Sequence, residues 1–285
     1  MGICAGITLY NPDIERLKEN VNAIAPQVEL IIFVDNASSN YHEIQSSLSL
    51  DKTIWIRNDS NLGVAHALNQ QVQQAHESGF EWILTIDQDS VCEDNLVHKL
   101  YQPTLFDDSI AMSSPVISER SNLHKDELID KNADYEIVTL CITSGCLTNV
   151  NAVLKVGGFD DILFIDCVDQ EMCLRLHRNG YKVIRVNNAN LLQEFGQSTI
   201  KRKFLGKNLV FDYYPPMRVY YQTRNNLLML RKYGYEFNNR PYYCYFYLIA
   251  IFIVRLFYEP NRLKRSIAFI KGYFTGLTMK YNLRS

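Results

Sequence analysis

Apolar runs bounded by turn residues recur along the first 120 residues of the chain. The runs are GICAGITLY, VELIIFVDNA, TIWIRN, EWILTIDQD and SIAMSSPVI. Their nearly continuous hydrophobic character is typical of strands that are buried on both faces of a sheet. Residues 13–25 and 62–76, which lie between these runs, instead carry apolar residues at helical spacing. Alternating strands and helices predict an α/β fold with a mostly parallel sheet and right-handed crossovers.

Polar residues are concentrated where these predicted strands end. They are Thr8, Tyr10 and Asn11 after the first strand, Asp35, Asn36, Ser38 and Ser39 after the second, Arg57 and Asn58 after the third, and Asp87, Gln88 and Asp89 after the fourth. Each residue type is also a common turn former or helix cap, so a single one carries little information. Four successive strands that end in this way favour a ligand crevice beyond the carboxyl ends of the sheet. The chain has neither GxGxxG after the first strand nor GxxxxGK(S/T), which disfavours dinucleotide and P-loop sites.

Asp87 and Asp89 are candidates for metal binding. Residues two apart in an extended chain point the same way, so both carboxylates can converge on one hard cation. Magnesium and manganese take oxygen ligands of this kind together with substrate phosphates. The competing explanation is an acidic turn that caps the helix predicted to follow it.

A second acidic cluster, Asp166, Asp169 and Glu171, begins another predicted helix. Acids in the first turn of a helix are stabilised by the helix dipole, which is the simple explanation for all three. The residues alone do not decide between this explanation and a catalytic role.

The composition is that of an ordinary globular protein, with 285 residues, 33.1 kDa, 47% hydrophobic and 21% charged residues. A length at the upper edge of what one core serves predicts one large domain with an appendage. The formal net charge of −2 argues against a general nucleic-acid binder, which would be strongly basic.

Seven cysteines without a CxxC pair suggest neither a zinc ribbon nor a disulfide framework, and they fit a reducing cytosol. The first residues, MGICAGITLYNP, are interpreted as a strand and not as a signal peptide.

The C-terminal part of the chain differs electrostatically from the rest. From Arg255 onward it carries seven Lys and Arg residues against one acid, Glu259, mixed with Phe, Ile, Leu and Tyr. This mixture is typical of helices that lie in the interface of an anionic membrane, although an ordinary helical subdomain would explain it too. The apolar run at 242–254 has 13 residues, short of the roughly 20 that a spanning helix needs. It is expected to pack either in the protein or on lipid.

Six stretches together carry a resemblance that is more specific than any single motif. They are ITLYNPDIERLKENV, IIFVDNASSN, NLGVAHALNQ, WILTIDQDS, TSGCLTNVNAVLKVGGFDDILFIDCVDQEMCLRLHRNGYKV and YYQTRNNLLMLRKYG, and they cover about residues 3–235. In this order they resemble the inverting glycosyltransferases of family 2, close to the bacterial rhamnosyltransferase branch. The resemblance implies the GT-A fold, an α/β fold whose mixed, mostly parallel sheet is flanked by helices. We expect the nucleotide-sugar-binding and catalytic domain at residues 1–205 and a basic, aromatic-rich helical C-terminal extension at residues 206–285.

The resemblance also implies a donor-binding set at the strand ends and in the loops that follow them. It consists of Thr8, Tyr10, Asp35 and Asn36 around the nucleoside, Asn61, Gly63 and Asn69 in a loop that closes around the base, and Asp87, Gln88, Ser144 and Gly145 near the ribose, diphosphate and sugar. Asp89, together with Asp87, is implied to bind Mg²⁺ or Mn²⁺ on the diphosphate. Arg218 and Arg224 are candidates for diphosphate contacts, because guanidinium groups suit phosphate oxygens, or are ordinary helix-surface residues. The pair at 144–145 ends a further apolar run, IVTLCITSG, and a strand-to-loop turn would explain it nearly as well.

Asp169 stands where the resemblance places the catalytic base. The family's usual Glu before it is Val168 here, and Asp166 lies three residues before Asp169, so the division of labour between the two aspartates stays open. Gln193 stands in the string LLQEFG, where the family commonly has a metal-binding His. Because an amide oxygen is a weaker ligand than imidazole for manganese-like ions, we expect weaker metal binding or a preference for magnesium.

These expectations describe an inverting transferase that moves a deoxyhexose, with rhamnose favoured and dTDP-L-rhamnose as the leading nucleotide-diphosphate sugar donor. The acceptor implied by the family is a saccharide on a polyprenyl diphosphate, in the synthesis of bacterial O-antigen or capsule. We expect a peripheral protein on the cytoplasmic, inner face of an anionic membrane, with no nucleic-acid partner and with its oligomeric state left open. The alternative is a non-catalytic scaffold or binding subunit that kept the fold, which the departures at Val168 and Gln193 favour.

Overall fold

Eleven strands and nine α-helices make up the regular structure of the residues that the computed structural model describes. These are residues 2–48, 50–119, 133–193, 199–204, 207–212, 214–238, 241–258 and 261–280. The strands are β1 (Ile3–Leu9), β2 (Leu30–Asp35), β3 (Thr53–Arg57), β4 (Trp82–Asp87), β5 (Val91–Cys92), β6 (Ile110–Glu119), β7 (Tyr135–Ile137), β8 (Cys146–Asn149), β9 (Lys182–Gln193), β10 (Thr199–Phe204) and β11 (Lys207–Asp212). The helices are α1 (Ile14–Ile24), α2 (Tyr41–Ser47), α3 (Val64–Glu77), α4 (Leu96–Tyr101), α5 (Val150–Lys155), α6 (Val168–Arg178), α7 (Pro216–Tyr233), α8 (Pro241–Tyr258) and α9 (Arg262–Thr278).

The main sheet follows the predicted alternation of strands and helices. Within the described ranges it has nine strands, in the order β3-β2-β1-β4-β8-β6-β9-β5 with β7 paired to β9, and β10 and β11 form a separate hairpin. Strands β1 to β4 are parallel, and β8 runs antiparallel between β4 and β6. The longest pairings of the main sheet are parallel, including that of β6 with β9. The predicted mixed, mostly parallel α/β sheet flanked by helices is therefore confirmed.

The core explains the continuous apolar runs. Cys4 and Ile7 of β1 point to opposite faces of the sheet and are both fully buried, as expected for a central strand that is covered on two faces. Helix α1 begins after Asp13, whose side chain accepts a hydrogen bond from the Arg16 amide at 3.0 Å. The apolar face predicted from its spacing enters the same core cluster, through Leu17, Val21 and Ile24.

The chain forms two compact units. The first consists of Met1–Phe164 and Val168–Glu194, and the second of Ile165–Cys167 and Phe195–Ser285. The first unit holds the main sheet, and the second holds the β10–β11 hairpin and helices α7 to α9. The domain boundary expected after residue 205 stays a prediction. No helix in the described part of the chain is both long enough and apolar enough to cross a membrane.

Glu171 and Arg175 form a buried ion pair inside helix α6. Nη2 of Arg175 lies 2.6 Å from Oε2 of Glu171, and the two side chains are 1% and 0% exposed. Nη1 of Arg175 also donates to the Val156 carbonyl at 2.7 Å, which ties α6 to the end of α5. We expect Glu171→Ala to lower the free energy of unfolding by about 3 kcal/mol, because it leaves a buried guanidinium without its carboxylate.

Urea unfolding measures this loss of stability. The exposed pair of Lys18 with Glu15 supplies a control, since Lys18→Ala should change the free energy of unfolding by less than about 0.5 kcal/mol. If Glu171→Ala were as mild as the control, the ion pair would have no part in holding α6.

Candidate active site

The carboxyl ends of the parallel strands bring several of the expected donor-binding residues to one edge of the sheet. Leu9 of β1 pairs with Asp35 of β2, and Thr8 pairs with Asp87 of β4. Asp35 in turn pairs with Arg57 at the end of β3. Thr8, Asp35 and Asp87 are therefore neighbours at this edge.

Asp35 carries a buried carboxylate with one oxygen in use. Its side chain is fully buried, and Oδ2 accepts a hydrogen bond from the Ser38 amide at 3.1 Å and lies 4.0 Å from Nε of Arg57. Oδ1 is buried and has no hydrogen-bond partner within the described residues. Because a buried polar atom without a partner is costly, this oxygen is suited to accept a hydrogen bond from a ligand.

Asn36 ties the end of β2 to the loop that follows β3. Its Nδ2 donates to the Gly63 carbonyl at 3.2 Å, and its Oδ1 accepts from Nδ2 of Asn58 at 2.9 Å. Oδ1 of Asn61 accepts from the Gly63 amide at 2.9 Å. Gly63 has a φ of +89°, and a Cβ added there would lie 2.6 Å from the Phe164 carbonyl oxygen, so the position requires glycine.

Thr8 and Asn69 are bonded within the protein. Oγ1 of Thr8 accepts from Nε2 of the buried Gln71 at 2.9 Å. Oδ1 of Asn69 accepts from the Phe159 amide at 2.7 Å, and its Nδ2 donates to the Phe159 carbonyl and to Oδ1 of Asp161, both at 2.8 Å. Asn69 thus uses both ends of its amide to hold the loop after α5, and its expected contact with the base stays a prediction.

The acidic turn at 87–89 is held by side chains on both sides of its backbone. Oε1 of Gln88 accepts from the Tyr10 amide at 2.9 Å, and Nε2 of Gln88 donates to the Tyr10 carbonyl at 3.3 Å. Asn20 of α1 is fully buried, and its Nδ2 donates to the Ser90 carbonyl at 2.5 Å and to the Asp87 carbonyl at 2.9 Å. The backbone that carries the two carboxylates is therefore fixed.

Two consecutive residues, Thr143 and Ser144, connect the acidic turn to helix α6. Oγ of Ser144 accepts from the Asp87 amide at 3.1 Å and lies 3.0 Å from Oγ of Ser90. Oγ1 of Thr143 donates to Oδ1 of Asp169 at 2.9 Å. Consecutive Cα atoms are only about 3.8 Å apart. The acidic turn and the first turn of α6 are therefore close neighbours.

Gly145 completes this junction. Its amide donates to the Thr85 carbonyl at 2.7 Å, and Oγ1 of Thr85 donates to the Thr143 carbonyl at 2.7 Å. Its φ is +73°, and a Cβ added there would lie 2.7 Å from Cδ2 of Leu191 on β9. Strand β4 therefore positions the junction, and no side chain fits at Gly145 without a shift.

Thr143 and Asn20 belong to the framework of the site and escaped the sequence analysis. Asn20 carried a usable signal, because it is a polar residue at a buried position on the apolar face of α1. Thr143 lies inside the apolar run IVTLCITSG, where nothing in the sequence distinguishes it from its neighbours.

Gln193, at the end of β9, lies beside the first carboxylate of the acidic turn. Its Nε2 donates to Oδ2 of Asp87 at 3.1 Å, while its Oε1 is buried with no hydrogen-bond partner in the described part of the chain. Gln193, Asp87 and Asp89 can each offer a side-chain oxygen atom, which is the ligand type that a hard divalent cation prefers. Nowhere among the described residues do three or more His, Cys, Asp or Glu side chains gather so that they can hold a metal. A cation at this turn therefore needs a further oxygen ligand, such as Gln193 or a substrate phosphate.

A cavity of about 310 Å³ opens next to the first turn of α6. Its wall includes Val116, Ile117, Leu140, Ile142, Gln170 and Arg185. Gln170 directly follows Asp169, and its Oε1 is buried without a hydrogen-bond partner within the described ranges. A mostly apolar wall with a few polar groups is the usual form of a small-molecule site.

Asp166, Arg218 and Arg224 all lie in the second unit. Nη2 and Nε of Arg218 donate to the Asp166 carboxylate at 3.2 to 3.4 Å, and its guanidinium lies 4.5 Å from the ring centre of Tyr214. Nδ2 of Asn225 donates to the Asp166 carbonyl at 2.9 Å, which supports the left-handed backbone at Asp166 (φ +64°). Arg224 is 6% exposed and donates to Oδ1 of Asn225 at 2.8 Å, so it is not an ordinary helix-surface residue.

The cysteines of α6 and of the segment before β8 are unsuited to nucleophilic catalysis. Sγ of Cys141 lies 3.7 Å from Sγ of Cys173. Hydrogen bonding to Cys146 raises the pKa of Cys141 well above its usual value, and hydrogen bonding to Cys141 together with burial does the same to the pKa of Cys173. Because a protonated thiol is a poor nucleophile, neither Cys141 nor Cys173 is suited to attack a substrate.

Comparison with known proteins agrees on one family. The model of glycosyl transferase family 2 matches residues 4–163. The dTDP-rhamnosyl transferase RfbF of Shigella flexneri is 28% identical over 243 residues, which are 81% of this chain and 80% of that relative.

Two solved structures share the fold at low sequence identity. The structure of GalNAc-T7 with UDP, GalNAc and Mn²⁺ has a TM-score of 0.61 and 13% identity, and the match covers 98% of this chain and 56% of that one, so this chain spans little more than half of GalNAc-T7. The mannosyltransferase PcManGT from Pyrobaculum calidifontis, in complex with GDP-Man and Mn²⁺, has a TM-score of 0.55 and 12% identity over 98% of this chain and 88% of that one. Because the family model matches more than half of the residues and the sheet has the GT-A arrangement, the chain belongs to glycosyl transferase family 2 and is a glycosyltransferase.

Proposed function

We propose that this glycosyltransferase moves a deoxyhexose, L-rhamnose first of all, from a nucleoside diphosphate sugar to an acceptor hydroxyl with inversion at the anomeric carbon. The observation that supports the proposal best is the junction of Thr143 and Ser144, which holds the acidic turn next to Asp169. A single displacement needs one group at the leaving diphosphate and another at the attacking hydroxyl, on opposite sides of one sugar ring. The relative RfbF is by name a dTDP-rhamnosyl transferase, so dTDP-L-rhamnose is the first donor to test.

The nucleoside is proposed to lie against Asp35. Thymine presents one N–H donor between two carbonyl acceptors, and Oδ1 of Asp35 is a buried acceptor that has no partner in the described part of the protein. Asn36 and Asn61 shape the same pocket indirectly, because both fix the backbone of Gly63. Thr8 lies on the adjacent strand, where it supplies a side chain next to the ribose.

The donor diphosphate is proposed to bind at the acidic turn. Asp87, Asp89 and the amide oxygen of Gln193 would hold Mg²⁺ or Mn²⁺ there. When bound, such a cation neutralises the negative charge that grows on the leaving diphosphate. The structures of GalNAc-T7 and PcManGT, which both contain Mn²⁺, support a divalent ion in this family of folds. Ser144 and Gln88 act on the same turn by fixing its backbone.

Gln193→His is expected to tighten the binding of Mn²⁺ by about tenfold, because imidazole is a stronger ligand than an amide oxygen for manganese-like ions. Titration of the metal-free protein with Mn²⁺ in the presence of dTDP, followed by electron paramagnetic resonance, measures the dissociation constant without turnover. Gln193→Leu is the matched control and should weaken binding, since it removes the oxygen. Equal affinities for all three proteins would show that Gln193 is not a ligand.

Asp169 is the proposed catalytic base. The acceptor hydroxyl becomes acidic as its bond to the anomeric carbon forms, so a carboxylate can take the proton. Thr143 bonds one oxygen of Asp169 and thereby orients the group. The carboxylate of Asp166 is instead paired with Arg218, which is why we assign it a supporting role. The contacts of Arg218 and Arg224 with a diphosphate stay predictions.

The acceptor is proposed to be a saccharide on a polyprenyl diphosphate, in the synthesis of O-antigen or capsule at the cytoplasmic face of the membrane. This choice rests on the family resemblance of the sequence. The cavity next to α6, with Gln170 and Arg185 in its wall, is the proposed entry for the terminal sugar of the acceptor. Its place beside Asp169 would bring the attacking hydroxyl to the base.

A panel of nucleotide sugars, with and without Mg²⁺, tests the donor. At a hundred times its dissociation constant, a ligand stabilises the folded state by about 2.7 kcal/mol, which raises the melting temperature. We expect this rise with dTDP-L-rhamnose and less with UDP and GDP sugars, and we expect chelation of the metal to abolish it. A rise with GDP-mannose alone would overturn the donor, and a product with retained anomeric configuration by NMR would overturn the mechanism.

A further inference from the structure

Helix α9 carries an exposed stripe of apolar side chains along its length. The residues of this apolar stripe are Leu263, Ile267, Ile270, Phe274 and Leu277, with exposed fractions of 75%, 58%, 49%, 63% and 40%. Their spacing of four, three, four and three residues places them on one face of an α-helix, over about 21 Å of its axis. A stripe of this kind is expected to be covered when the protein works, because monomeric proteins rarely expose contiguous apolar patches.

The opposite face of α9 is packed against α7 within the second unit. The buried residues of α9 are Arg265, Phe269, Gly272 and Gly276, and the two glycines lie against α7. A Cβ added at Gly272 would lie 2.6 Å from the Tyr220 carbonyl oxygen, and one at Gly276 would lie 2.9 Å from the Arg224 carbonyl oxygen. The two helix backbones therefore approach closely at both glycines, and a larger residue of α9 would not fit there without a shift. The apolar stripe is held facing away from α7.

Basic residues flank the apolar stripe. Lys264 and Lys271 are exposed and lie roughly 80° to 100° around the helix from the middle of the stripe, and the exposed Arg262 lies on the other side. From residue 260 to the C-terminus the sequence has six Lys and Arg and no Asp or Glu. An apolar stripe between basic flanks is complementary to a partner that has an apolar interior beneath a negatively charged surface layer.

Helix α8 packs on α9 and carries exposed apolar side chains of its own. Phe252 of α8 stacks on Phe269 of α9 with ring centres 3.9 Å apart. On α8, Phe246, Tyr247 and Ile253 are 59%, 56% and 49% exposed. Aromatic side chains of this kind are common at the boundary between lipid and water.

We propose that the apolar stripe of α9 is a membrane-docking surface and that an anionic lipid bilayer covers it. A bilayer satisfies both parts of the pattern, because acyl chains receive the stripe and anionic headgroups receive the flanking lysines. A second copy of this chain fits less well, since a two-fold contact through the stripe would bring basic flanks together without acids to pair them. The docking surface goes beyond the transferase activity and does not depend on which sugar is transferred.

Sedimentation of the full chain with lipid vesicles tests the proposal. We expect the protein to bind vesicles that contain phosphatidylglycerol more tightly than vesicles of phosphatidylcholine alone. The double variant Ile267→Gln, Phe274→Gln is expected to lower the partition coefficient at least about tenfold, because two inserted side chains lose their burial in lipid. The double variant Lys264→Gln, Lys271→Gln should remove most of the preference for anionic vesicles and its sensitivity to salt.

Phe106→Gln is the matched control, because Phe106 is 86% exposed in the first unit and should leave vesicle binding unchanged. Circular dichroism checks that each variant is folded. Wild-type binding by the α9 apolar variant, or an equal loss in the Phe106 control, would overturn the proposal. A change in oligomeric mass by light scattering, without a change in vesicle binding, would assign the stripe to a second copy. A protein that docks but transfers no rhamnose would refute the proposed donor and leave the docking surface intact.

Discussion

Asp169→Asn is expected to lower kcat by about a thousandfold while the protein stays folded. The amide has nearly the shape of the carboxylate, but it cannot take the proton from the acceptor hydroxyl. The hydrogen bond from Oγ1 of Thr143 can still form with the amide oxygen, so the first turn of α6 keeps its position. Release of dTDP measures turnover, and thermal unfolding measures the integrity of the fold.

Two further variants separate the base from its surroundings. Asp166→Asn removes a charge that faces Arg218 and is expected to lower kcat by about tenfold or less. Thr143→Val removes only the group that orients Asp169, so it should lower kcat by about tenfold with little change in the KM of the donor. If Asp169→Asn kept its turnover while Asp166→Asn lost it, the base would be Asp166. A wild-type chain that binds the donor without any turnover would favour the scaffold alternative.

Asp89→Ala is expected to abolish the metal dependence of donor binding and to lower kcat/KM by about a thousandfold. The variant removes one of the few oxygen ligands that the acidic turn offers to a cation. A cation held by the turn would neutralise charge on the departing diphosphate, so the loss of its ligand should weaken donor binding and slow the chemical step. Calorimetric titration with dTDP, with and without Mg²⁺, measures the first effect, and release of dTDP measures the second.

Asp94→Ala provides the control for this experiment, because Asp94 is an exposed acid that follows strand β5, a few residues further along the chain. It should bind dTDP as the wild type does and keep the response to Mg²⁺. Should Asp89→Ala retain the Mg²⁺ response, the cation would have to bind somewhere other than the acidic turn.

Most of the sheet could be predicted because a strand that is buried on both faces appears in the sequence as a continuous apolar run. Strands β1 to β4 and β6 coincide with apolar runs. The run IVTLCITSG differs, since only its first residue belongs to a strand, β7, and its apolar side chains include Leu140 and Ile142 in the wall of the cavity. An apolar run shows that residues avoid water, but it does not show whether they form a strand or line a hollow.

The geometry of the site was harder to predict because it depends on contacts between distant parts of the chain. Gln193 meets Asp87 only through the pairing of β9 with its neighbours, which no local pattern encodes. The bonds of Asn69 with the backbone of Phe159 were equally hidden, because an Asn in sequence gives no sign of which protein partner it will find. The strand ends were predictable as a group, since parallel strands always bring their carboxyl ends to one edge.

The adjacency of Thr143 and Ser144 has a consequence for how this enzyme can diversify. One peptide unit separates Thr143, which bonds the proposed base Asp169, from Ser144, which bonds the turn proposed to hold the diphosphate. Mutations elsewhere in the chain should hardly change the distance between these two adjacent residues. The proposed inversion at the anomeric carbon should therefore be retained as the rest of the sequence changes. Preference for a new nucleotide would then arise around Asp35, at the far end of the donor, where a change of partner leaves that distance untouched.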